Sequence, residues 1–383
     1  MNKNLSMSLK IAQAVRKNGG RAFYVGGYVR DKILGRFSKD IDIEIHGLSQ
    51  QNLSEILSSL GQPVEMGASF GLLSLKHYSL DIVMPRSLLT GEIDPFVTER
   101  EASRRRDFTM NALMQDVLTG EILDFFGGID DINAKVIRHV DDDTFLLDTL
   151  RVMRAARFSS SLGFVVDGAT RAVCSSADLT SLAQERVFAE VENVITKSEM
   201  PSIFFEELER MKQLSFWFPE VQSVKNNIID KAAIVRRKSV YPLGFMLASL
   251  CHDMAGTERF ISRLTNDAKL NKYVINMAGL ADTLEGMDEE ALMRAFDRSE
   301  CPEDLSLLSE TLSGNSHSDM LALYRERMSR PFVTGADILA MGVSPGPLVG
   351  KILKHVHNLR LSGLPKSVQF EEVMKFIRGE END

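Results

Sequence analysis

Two aspartates one residue apart, Asp40 and Asp42, are the residues of this sequence whose types and spacing point most directly to chemistry. Ile41 and Ile43 alternate with them, so in a β-strand both carboxylates project from one face while the isoleucines enter the core. Two such carboxylates can share hard cations, usually Mg²⁺, which bridge phosphate oxygens and activate an attacking hydroxyl. The spacing therefore predicts a catalytic metal site, against the alternative of a solvated strand edge.

A glycine pair and an arginine stand shortly before the two aspartates, in the run VGGYVRDKILGRFSKDIDIE. Phe23–Val25 predicts a short buried strand, after which Gly26 and Gly27 let the backbone turn sharply and approach a ligand. The free N–H groups of a helix beginning near Tyr28 would face a phosphate, and Arg30 would add a charge-assisted contact. Together with the aspartates, this arrangement predicts a nucleoside triphosphate site.

Three arginines and an aspartate open the run RRRDFTMNAL, from Arg104 to Leu113. Arg106 can meet a phosphate or a base, and Asp107 can accept a hydrogen bond from a ribose hydroxyl, as a site that prefers ribonucleotides requires. The alternative is a solvated helix start in which Asp107 interacts with the helix dipole. Phe108–Met114 reads as a helical segment.

The run DTLRVMRAARF, residues 148–158, places Asp148, Arg151, Arg154 and Arg157 at steps of three, along one helical face. An aspartate accepts from an exocyclic amine and an arginine donates to a ring acceptor or carbonyl, so such a pair can read a base. We expect Asp148 and Arg151 to read the base and Arg154 and Arg157 to lie nearer the phosphates. The alternative is an Asp–Arg ladder within the helix, which contributes little.

Composition sets the broad class. The chain has 383 residues, 44% of them hydrophobic, which predicts a globular protein of two to four domains. Its net charge of −8 argues against indiscriminate coating of nucleic acid, although local basic clusters such as Arg236–Lys238 are compatible with a structured RNA. The polar start and the lack of a long apolar run predict a cytoplasmic enzyme without a membrane span. Cys174, Cys251 and Cys301 are isolated in sequence and predict buried free thiols.

The periodicity of apolar residues changes along the chain. Strand-like runs alternate with helical ones from Phe23 to about Phe126, which indicates an α/β or α+β domain. Beyond Asp143 apolar residues recur at helical spacing, which predicts an all-helical remainder. The predicted strands are AFYV, IDIEI, GLLSLKH, SLDIVM and EILDFF, and one predicted helix spans Gln51–Leu60.

Five motifs together resemble those of one family in order and approximate spacing, over about residues 20 to 195. They are VGGYVRDKILGRFSKDIDIE, RRRDFTMNAL, DFFGGIDDI, DTLRVMRAARF and ERVFAEVENVI. The family is that of the class II tRNA nucleotidyltransferases, the CCA-adding enzymes and their bacterial poly(A) polymerase relatives. The resemblance implies a polymerase-β-like head at 1–140, then all-α neck, body and tail domains at 141–200, 201–312 and 313–383. It also implies template-independent addition of C, C and A to the tRNA 3′ end from CTP and ATP.

The resemblance also implies roles for individual residues. Asp40 and Asp42 would bind Mg²⁺, and Asp148 and Arg151 would recognise the base in the neck. The remaining nucleotide contacts would come from Gly26, Gly27, Arg30, Arg106, Asp107, Arg154 and Arg157. Gly127-Gly128 resembles the connector between head and neck, and Glu185, Arg186 and Glu190 resemble the helix that braces the base-reading residues. The partners implied are the acceptor arm of tRNA, bound by the tail, with CTP and ATP.

Two departures from the family pattern leave the product open. The base-reading motif usually begins Glu-Asp, whereas here Leu147 precedes Asp148. The segment at residues 85–103 is shorter than the flexible loop of CCA-adding members, and loss of that loop is associated in this family with enzymes that stop after CC. A CC-adding enzyme, a poly(A) polymerase and an A-adding enzyme therefore remain alternatives.

The sequence contains features of two further classes of protein. His252-Asp253 resembles the His-Asp core of metal-dependent phosphohydrolases, but no histidine lies between His139 and His252 to supply further ligands. A non-catalytic RNA-binding module would be expected to lack Asp40, Asp42 or Arg106, and all three are present. The sequence therefore favours an enzyme over either alternative, and it leaves the oligomeric state open.

Overall fold

The computed structural model describes residues 3–37, 40–65, 73–88, 90–251, 254–329 and 333–379, without the side chains of residues 65, 222, 223 and 366. The chain divides into two compact units. The first unit comprises Met1–Ala183 and Ile203–Gln213, and the second comprises Gln184–Ser202 and Leu214–Asp383. The finer division into head, neck, body and tail stays a prediction.

A mixed β-sheet forms the centre of the first unit. Its seven described strands run in the order β3-β4-β5-β2-β1-β6-β7, with β2 and β5 parallel and the other pairs antiparallel. The strands are β1 (Arg21–Val25), β2 (Ile41–His46), β3 (Pro63–Glu65), β4 (Leu73–Leu75), β5 (Leu80–Val83), β6 (Met114–Asp116) and β7 (Ile122–Leu123). A separate parallel pair joins β8 (Val136–Ile137) to β9 (Val165–Val166).

The first unit also contains helices, and the second unit consists mainly of helices. Those from the start of the chain to Ser175 are α1 (Lys3–Lys17), α2 (Gly27–Ile33), α3 (Gln50–Leu60), α4 (Glu99–Arg104), α5 (Gly128–Ala134), α6 (Asp142–Phe145), α7 (Leu150–Leu162) and α8 (Gly168–Ser175). Then come α9 (Gln184–Lys197), α10 (Ser202–Arg210), α11 (Leu214–Trp217), α12 (Asn226–Val235), α13 (Pro242–Ala248), α14 (Met254–Leu264) and α15 (Ala268–Ala281). The last are α16 (Glu289–Arg298), α17 (Pro302–Ser313), α18 (Ser318–Ser329), α19 (Gly335–Ala340), α20 (Pro347–Leu361) and α21 (Lys366–Arg378).

Strand β2 owes its position to the alternation seen in the sequence. Ile41, Ile43 and Ile45 are at most 2% exposed. Because side chains alternate across a strand, Asp42 and Glu44 point to the opposite face. Burial of the isoleucines thus fixes the face on which the carboxylates lie.

Buried apolar residues and the buried carboxylate of Asp304 hold the second unit together. Asp304, on α17, is fully buried and accepts hydrogen bonds from the Ser239 hydroxyl at 2.9 Å and the Val240 N–H at 2.8 Å. It also accepts from the Tyr241 N–H at 3.0 Å and the Tyr273 hydroxyl. A buried carboxylate with several donors is stable because each lost water contact is replaced. Asp304 therefore fixes the loop at residues 239–241 in place.

The expected fold class is confirmed, with local differences. Phe108–Met114 is wrong as a helix: a single 3-10 turn covers Thr109–Asn111, and β6 begins at Met114. The cause is the Asp107 carboxylate, which accepts from the Phe108 N–H at 2.8 Å and keeps Phe108 extended. The short strands β3, β6, β8 and β9 were not predicted, and β9 interrupts the helical remainder. Residues 71 and 72 of the expected GLLSLKH strand lie outside the described residues.

Other expectations concern particular side chains. The three cysteines are buried thiols outside any disulfide, as predicted, and burial raises the pKa of Cys174 to about 12. Gly128 begins α5, where a Cβ atom would lie 2.2 Å from the Thr109 carbonyl oxygen, so its lack of a side chain permits close packing. Its role as a connector stays a prediction. None of the described helices is long and apolar enough to cross a membrane. His252 and Asp253 lie outside the described residues.

Candidate active site

A cavity of about 450 Å³ in the first unit collects almost all of the predicted site residues. Among the predicted residues, those that line it are Gly26, Gly27, Arg30, Asp42, Arg106, Asp107, Asp148, Arg151, Arg154 and Arg157. Arg105, Asn111 and Phe158 complete the lining. Six arginines face three aspartates in this set, so the cavity has an excess of positive charge and suits an anionic ligand such as a triphosphate.

Asp42 lines the cavity, and two further carboxylates, Asp40 and Asp81, lie near Asp42 without being part of the lining. Asp42 on β2 lies directly opposite Asp81 on the parallel strand β5, and Asp40 is exposed just before β2. Burial raises the pKa of Asp42; the Arg106 guanidinium opposes this rise, while Asp81 and Asp40 add to it. Burial and Asp40 likewise raise the pKa of Asp81. Carboxylates that disfavour one another's charge in this way are stabilised by a bound cation.

The metal prediction can be tested against this donor set. In the part of the chain that the structure describes, no three His, Cys, Asp or Glu side chains form a group able to hold a metal ion. Magnesium, however, usually keeps several waters and binds one or two carboxylates together with substrate phosphates. Asp40 and Asp42 beside a cationic cavity fit that mode, and they do not fit a closed structural metal site.

Arg106 is held by a carboxylate on the same strand as Asp42. Its Nη2 donates to Glu44 Oε2 at 2.6 Å, and Glu44 Oε1 is 2.9 Å from His46 Nε2. Burial favours protonation of Glu44, but Arg106 and His46 together hold the pKa of this carboxyl below its usual range. Arg106 therefore faces the cavity next to Asp42 with its position set by an internal ion pair.

Asp107 joins two arginines through a buried hydrogen-bonded chain. Its Oδ2 accepts from Arg154 Nε at 2.8 Å and from Arg154 Nη2 at 2.6 Å. Asn111 Nδ2 donates to Asp107 Oδ1 at 2.9 Å, and Asn111 Oδ1 accepts from Arg30 Nη1 at 2.8 Å. Burial raises the pKa of Asp107, but Arg154 and Asn111 outweigh it and lower the pKa. Asp107 is thus engaged with protein donors, where the sequence predicted a ribose contact.

Three of the cavity's arginines surround one aromatic ring. The guanidinium carbons of Arg157, Arg30 and Arg154 lie 4.1, 5.0 and 5.4 Å from the centre of the Phe158 ring. Cations within about 6 Å of a ring are attracted to its electron-rich face. Phe158 thus forms part of the cavity wall together with these arginines.

The predicted base-reading pair is placed at the start of α7. The helix begins at Leu150 with Thr149 as its cap, so Asp148 precedes the helix and its Oδ1 accepts from the Leu150 N–H at 3.2 Å. Arg151 donates to the Thr144 carbonyl at 2.9 Å and to the Arg105 carbonyl. Leu147 is 74% exposed. Arg151 is therefore held by backbone carbonyls in this chain.

Several residues of the site were missed from sequence. Asp81 could have been found as a charged residue between Leu80 and Ile82 in a predicted strand. Asn111 lies four residues after Asp107. Because the sequence predicted a helix there, it did not predict the turn that brings Asn111 to Asp107. The predicted bracing residues Glu185, Arg186 and Glu190 lie on α9 in the second unit, and their role stays a prediction.

The sheet with its carboxylate edge and the helices that follow define the class: a polymerase-β-like nucleotidyltransferase head followed by a mostly helical remainder. Residues 22–138 match the family model of the Poly A polymerase head domain. The resemblance to the class II tRNA nucleotidyltransferases and poly(A) polymerases is therefore confirmed over this part of the chain.

Curated relatives match part of the chain. The "Multifunctional CCA protein" of Haemophilus ducreyi is 31% identical over 267 residues, which cover 61% of this chain and 63% of that protein. Its namesake in Pasteurella multocida is 33% identical over 221 residues, which cover 54% of this chain and 51% of that protein. The alignments thus span between about half and two thirds of these relatives.

Solved structures match the fold over nearly the whole chain. The Thermotoga maritima CCA-adding enzyme complexed with tRNA has a TM-score of 0.74 and 21% identity, covering 98% of this chain and 96% of its own. The Bacillus stearothermophilus CCA-adding enzyme in complex with CTP has a TM-score of 0.72 and 24% identity, covering 100% and 99%. At this identity the likeness establishes the fold.

Proposed function

We propose that this protein is a template-independent RNA nucleotidyltransferase that adds C, C and A to the 3′ end of tRNA, using CTP and ATP and releasing pyrophosphate. The observation that carries the proposal is the cationic cavity, which joins the Asp42 strand edge to the arginines of α7. The names of the Haemophilus and Pasteurella relatives support the choice of tRNA and of CCA addition. A cytoplasmic location remains a prediction.

Asp40 and Asp42 are the residues we assign to a divalent cation, Mg²⁺ by the chemistry of the donors. A Mg²⁺ ion bound there would neutralise phosphate charge and lower the pKa of the attacking hydroxyl. Asp81, opposite Asp42, adds negative charge that draws a cation to the same edge.

The arginines of the cavity bind the triphosphate. Arg106 lies beside Asp42, and Arg154 and Arg157 extend the positive charge along α7. The tRNA 3′-hydroxyl attacks the α-phosphorus, so a new phosphodiester bond forms while the bond to the β-phosphate breaks and pyrophosphate leaves. Guanidinium groups already fixed by Glu44 and Asp107 stabilise the charge that develops without rearrangement, which is the main source of rate in such reactions.

Asp148 and Arg151 are proposed to recognise the base. The Arg151 guanidinium donates hydrogen bonds to the Thr144 and Arg105 carbonyls. These bonds fix its orientation before a nucleotide binds. Asp148 offers carboxylate oxygens to an exocyclic amine, the group that cytosine and adenine share.

A CC-adding activity is the second candidate, favoured by the connection between β5 and α4. This connection folds back on itself: the Ser87 N–H donates to the Glu92 carbonyl at 2.9 Å, and the Asp94 N–H donates to the Pro85 carbonyl at 2.9 Å. The segment that the sequence marked as short is therefore a compact turn over its described residues.

The experiment supplies Mg²⁺, labelled CTP or ATP, and tRNA ending before C, after C or after CC. Addition of two Cs, followed by ATP only on the CC-ended tRNA, is the expected result. If ATP is not incorporated on the CC-ended tRNA, the protein is a CC-adding enzyme. If ATP is incorporated there but CTP is incorporated on no substrate, it is an A-adding enzyme. Long A tails would establish a poly(A) polymerase. The control is tRNA with an oxidised 3′ end, and no incorporation on any substrate would contradict the proposal.

A further inference from the structure

A second cationic cavity lies in the second unit. It has a volume of about 290 Å³ and is lined by Glu199, Ala233, Ile234, Arg236 and Arg237. Glu199 follows α9, and the other residues belong to the end of α12 and to the 3-10 turn Arg236–Lys238 that follows it. The sequence had marked Arg236–Lys238 as a basic cluster compatible with a structured RNA.

Arg236 is buried and is held by a backbone carbonyl. Only 7% of the residue is exposed, and its Nη1 donates to the Ala233 carbonyl at 2.7 Å. Among the residues that line the cavity, Glu199 is the only carboxylate. Burial and the neighbouring Arg237 lower the pKa of Arg236, and Glu199 opposes the change. A buried cation with so little compensation is costly, and an anion from outside would supply what is missing.

The turn that bears these cations is held rigidly. Ser239, Val240 and Tyr241, directly after it, are all bound to the fully buried Asp304. Gly244 on α13 packs closely against Tyr273, since a Cβ atom at this position would lie 2.5 Å from the Tyr273 ring. A binding group fixed in advance loses little conformational entropy when its ligand arrives.

We propose that this cavity is a subsite for a phosphodiester of the RNA substrate. Two guanidinium groups against one carboxylate leave one net positive charge, which matches a phosphodiester better than a doubly charged phosphate monoester. Exposed Lys238 continues the positive charge along the surface, as a backbone with successive phosphates requires. Ile234, 76% exposed at the cavity, offers an apolar contact to a sugar. This inference rests on the proposed function.

The test uses the full chain with Arg237→Gln, because Arg237 is exposed and its replacement leaves the core intact. We expect the KM for tRNA to rise about tenfold, with kcat and the KM for CTP unchanged, since one charge-assisted contact is lost. The slope of log affinity against log salt should fall by about 0.7 to 0.9. The matched control is Arg294→Gln, which removes a partly exposed arginine of the same unit that is paired with Glu290 at 2.6 Å.

Glu199→Gln should change tRNA affinity in the opposite direction, because it removes the carboxylate that competes with a phosphate in the cavity. It should lower the KM for tRNA, by about twofold to threefold for a partly screened charge. Arg236→Lys, checked for an unchanged melting temperature, keeps the charge but loses the forked geometry of the guanidinium, so it should weaken tRNA binding and leave the salt slope unchanged.

The two proposals fail in different ways. If the wild-type chain incorporates no nucleotide, the proposed function is wrong, and direct binding of labelled tRNA then decides the subsite alone. If the wild-type chain incorporates nucleotides but Arg237→Gln and Glu199→Gln leave tRNA affinity and its salt slope unchanged, the subsite is wrong and the proposed function stands.

Discussion

The arginines of the two cavities differ in how their charge is balanced. In the first unit Arg106 is paired with Glu44 and Arg154 with Asp107, so each guanidinium is fixed by a carboxylate of the protein. In the second unit Arg236 donates to the Ala233 carbonyl, and Glu199 is the one carboxylate among the residues that line its cavity. The difference follows from the demands on each site: a reaction needs charges at fixed positions, whereas attraction of a phosphate backbone needs charge that is not already neutralised.

This comparison predicts that substitutions in the first cavity change the rate of incorporation, while those in the second change RNA affinity. It also predicts that removing a carboxylate has opposite effects at the two sites. Loss of Asp107 disorganises the arginine that it holds, whereas loss of Glu199 frees positive charge for the ligand.

The largest effect is expected from Asp42→Asn, which keeps the shape of the side chain and removes its charge. Incorporation should fall by about a thousandfold or more, because the divalent cation loses a main ligand beside the reacting phosphate. Binding of labelled tRNA should stay within about twofold, measured in parallel. Incorporation near the wild-type rate would show that Asp42 is no metal ligand.

Asp107→Asn should have the next largest effect. Arg154 loses its buried carboxylate partner, so kcat/KM for the nucleotide should fall by about 10- to 100-fold, measured by steady-state incorporation. The variant should also melt at a lower temperature near pH 7.

The pH dependence of that difference follows from the lowered pKa of Asp107. A carboxyl whose pKa is lower in the folded state stabilises the fold above its unfolded pKa of about 4, and this contribution is lost on acidification. The melting temperatures of the wild type and Asp107→Asn should therefore converge as the pH falls below about 4. A constant difference across this range would show that Asp107 contributes no charge-dependent stability.

Phe158→Leu should have a smaller effect on the first cavity. Leucine fills most of the space but lacks the aromatic face that attracts Arg30, Arg154 and Arg157, at about 0.5–1 kcal/mol for each contact. We expect the KM for CTP and ATP to rise about tenfold, with tRNA affinity unchanged. Phe164→Leu, also buried in the first unit but outside the cavity lining, is the control and should affect stability alone.

Leu147→Glu should change least, although it restores the residue usual in the family. Leu147 is 74% exposed and Arg151 is already held by two carbonyls, so incorporation should stay within about twofold. The measurement is the ratio of CTP to ATP incorporated on tRNA ending in CC. A tenfold change in that ratio would show that Arg151 needs a carboxylate brace for base selection.

The sequence predicted the structure best where one residue pattern determined both a secondary-structure element and the position of the site residues. The alternation of Ile41 and Ile43 with two aspartates predicted both β2 and the cavity edge, because burial and exposure repeat with the period of the strand. The run after Asp107 was harder to predict. Phe108, Met110, Leu113 and Met114 are all buried, so their spacing did not distinguish a helix from a turn followed by a strand.

The missed parts of the site depend on contacts between distant segments. Arg30 and Asn111 are 81 positions apart, and no local pattern reveals their 2.8 Å hydrogen bond. The cavity at Arg236 likewise depends on Glu199 and on the anchoring of the adjacent loop by Asp304. The sequence showed a basic cluster there, and only the structure shows how little of its charge is compensated.

The register of β2 against its neighbours has a consequence for folding. A shift of one residue would turn Asp42 and Glu44 into the core and expose Ile41, Ile43 and Ile45, so the shifted sheet could not form a stable unit. The alignment that buries the isoleucines is the same one that sets Asp42 opposite Asp81. A chain in which β2 and β5 pair in the register that buries the isoleucines has therefore also placed Asp42 beside Asp81.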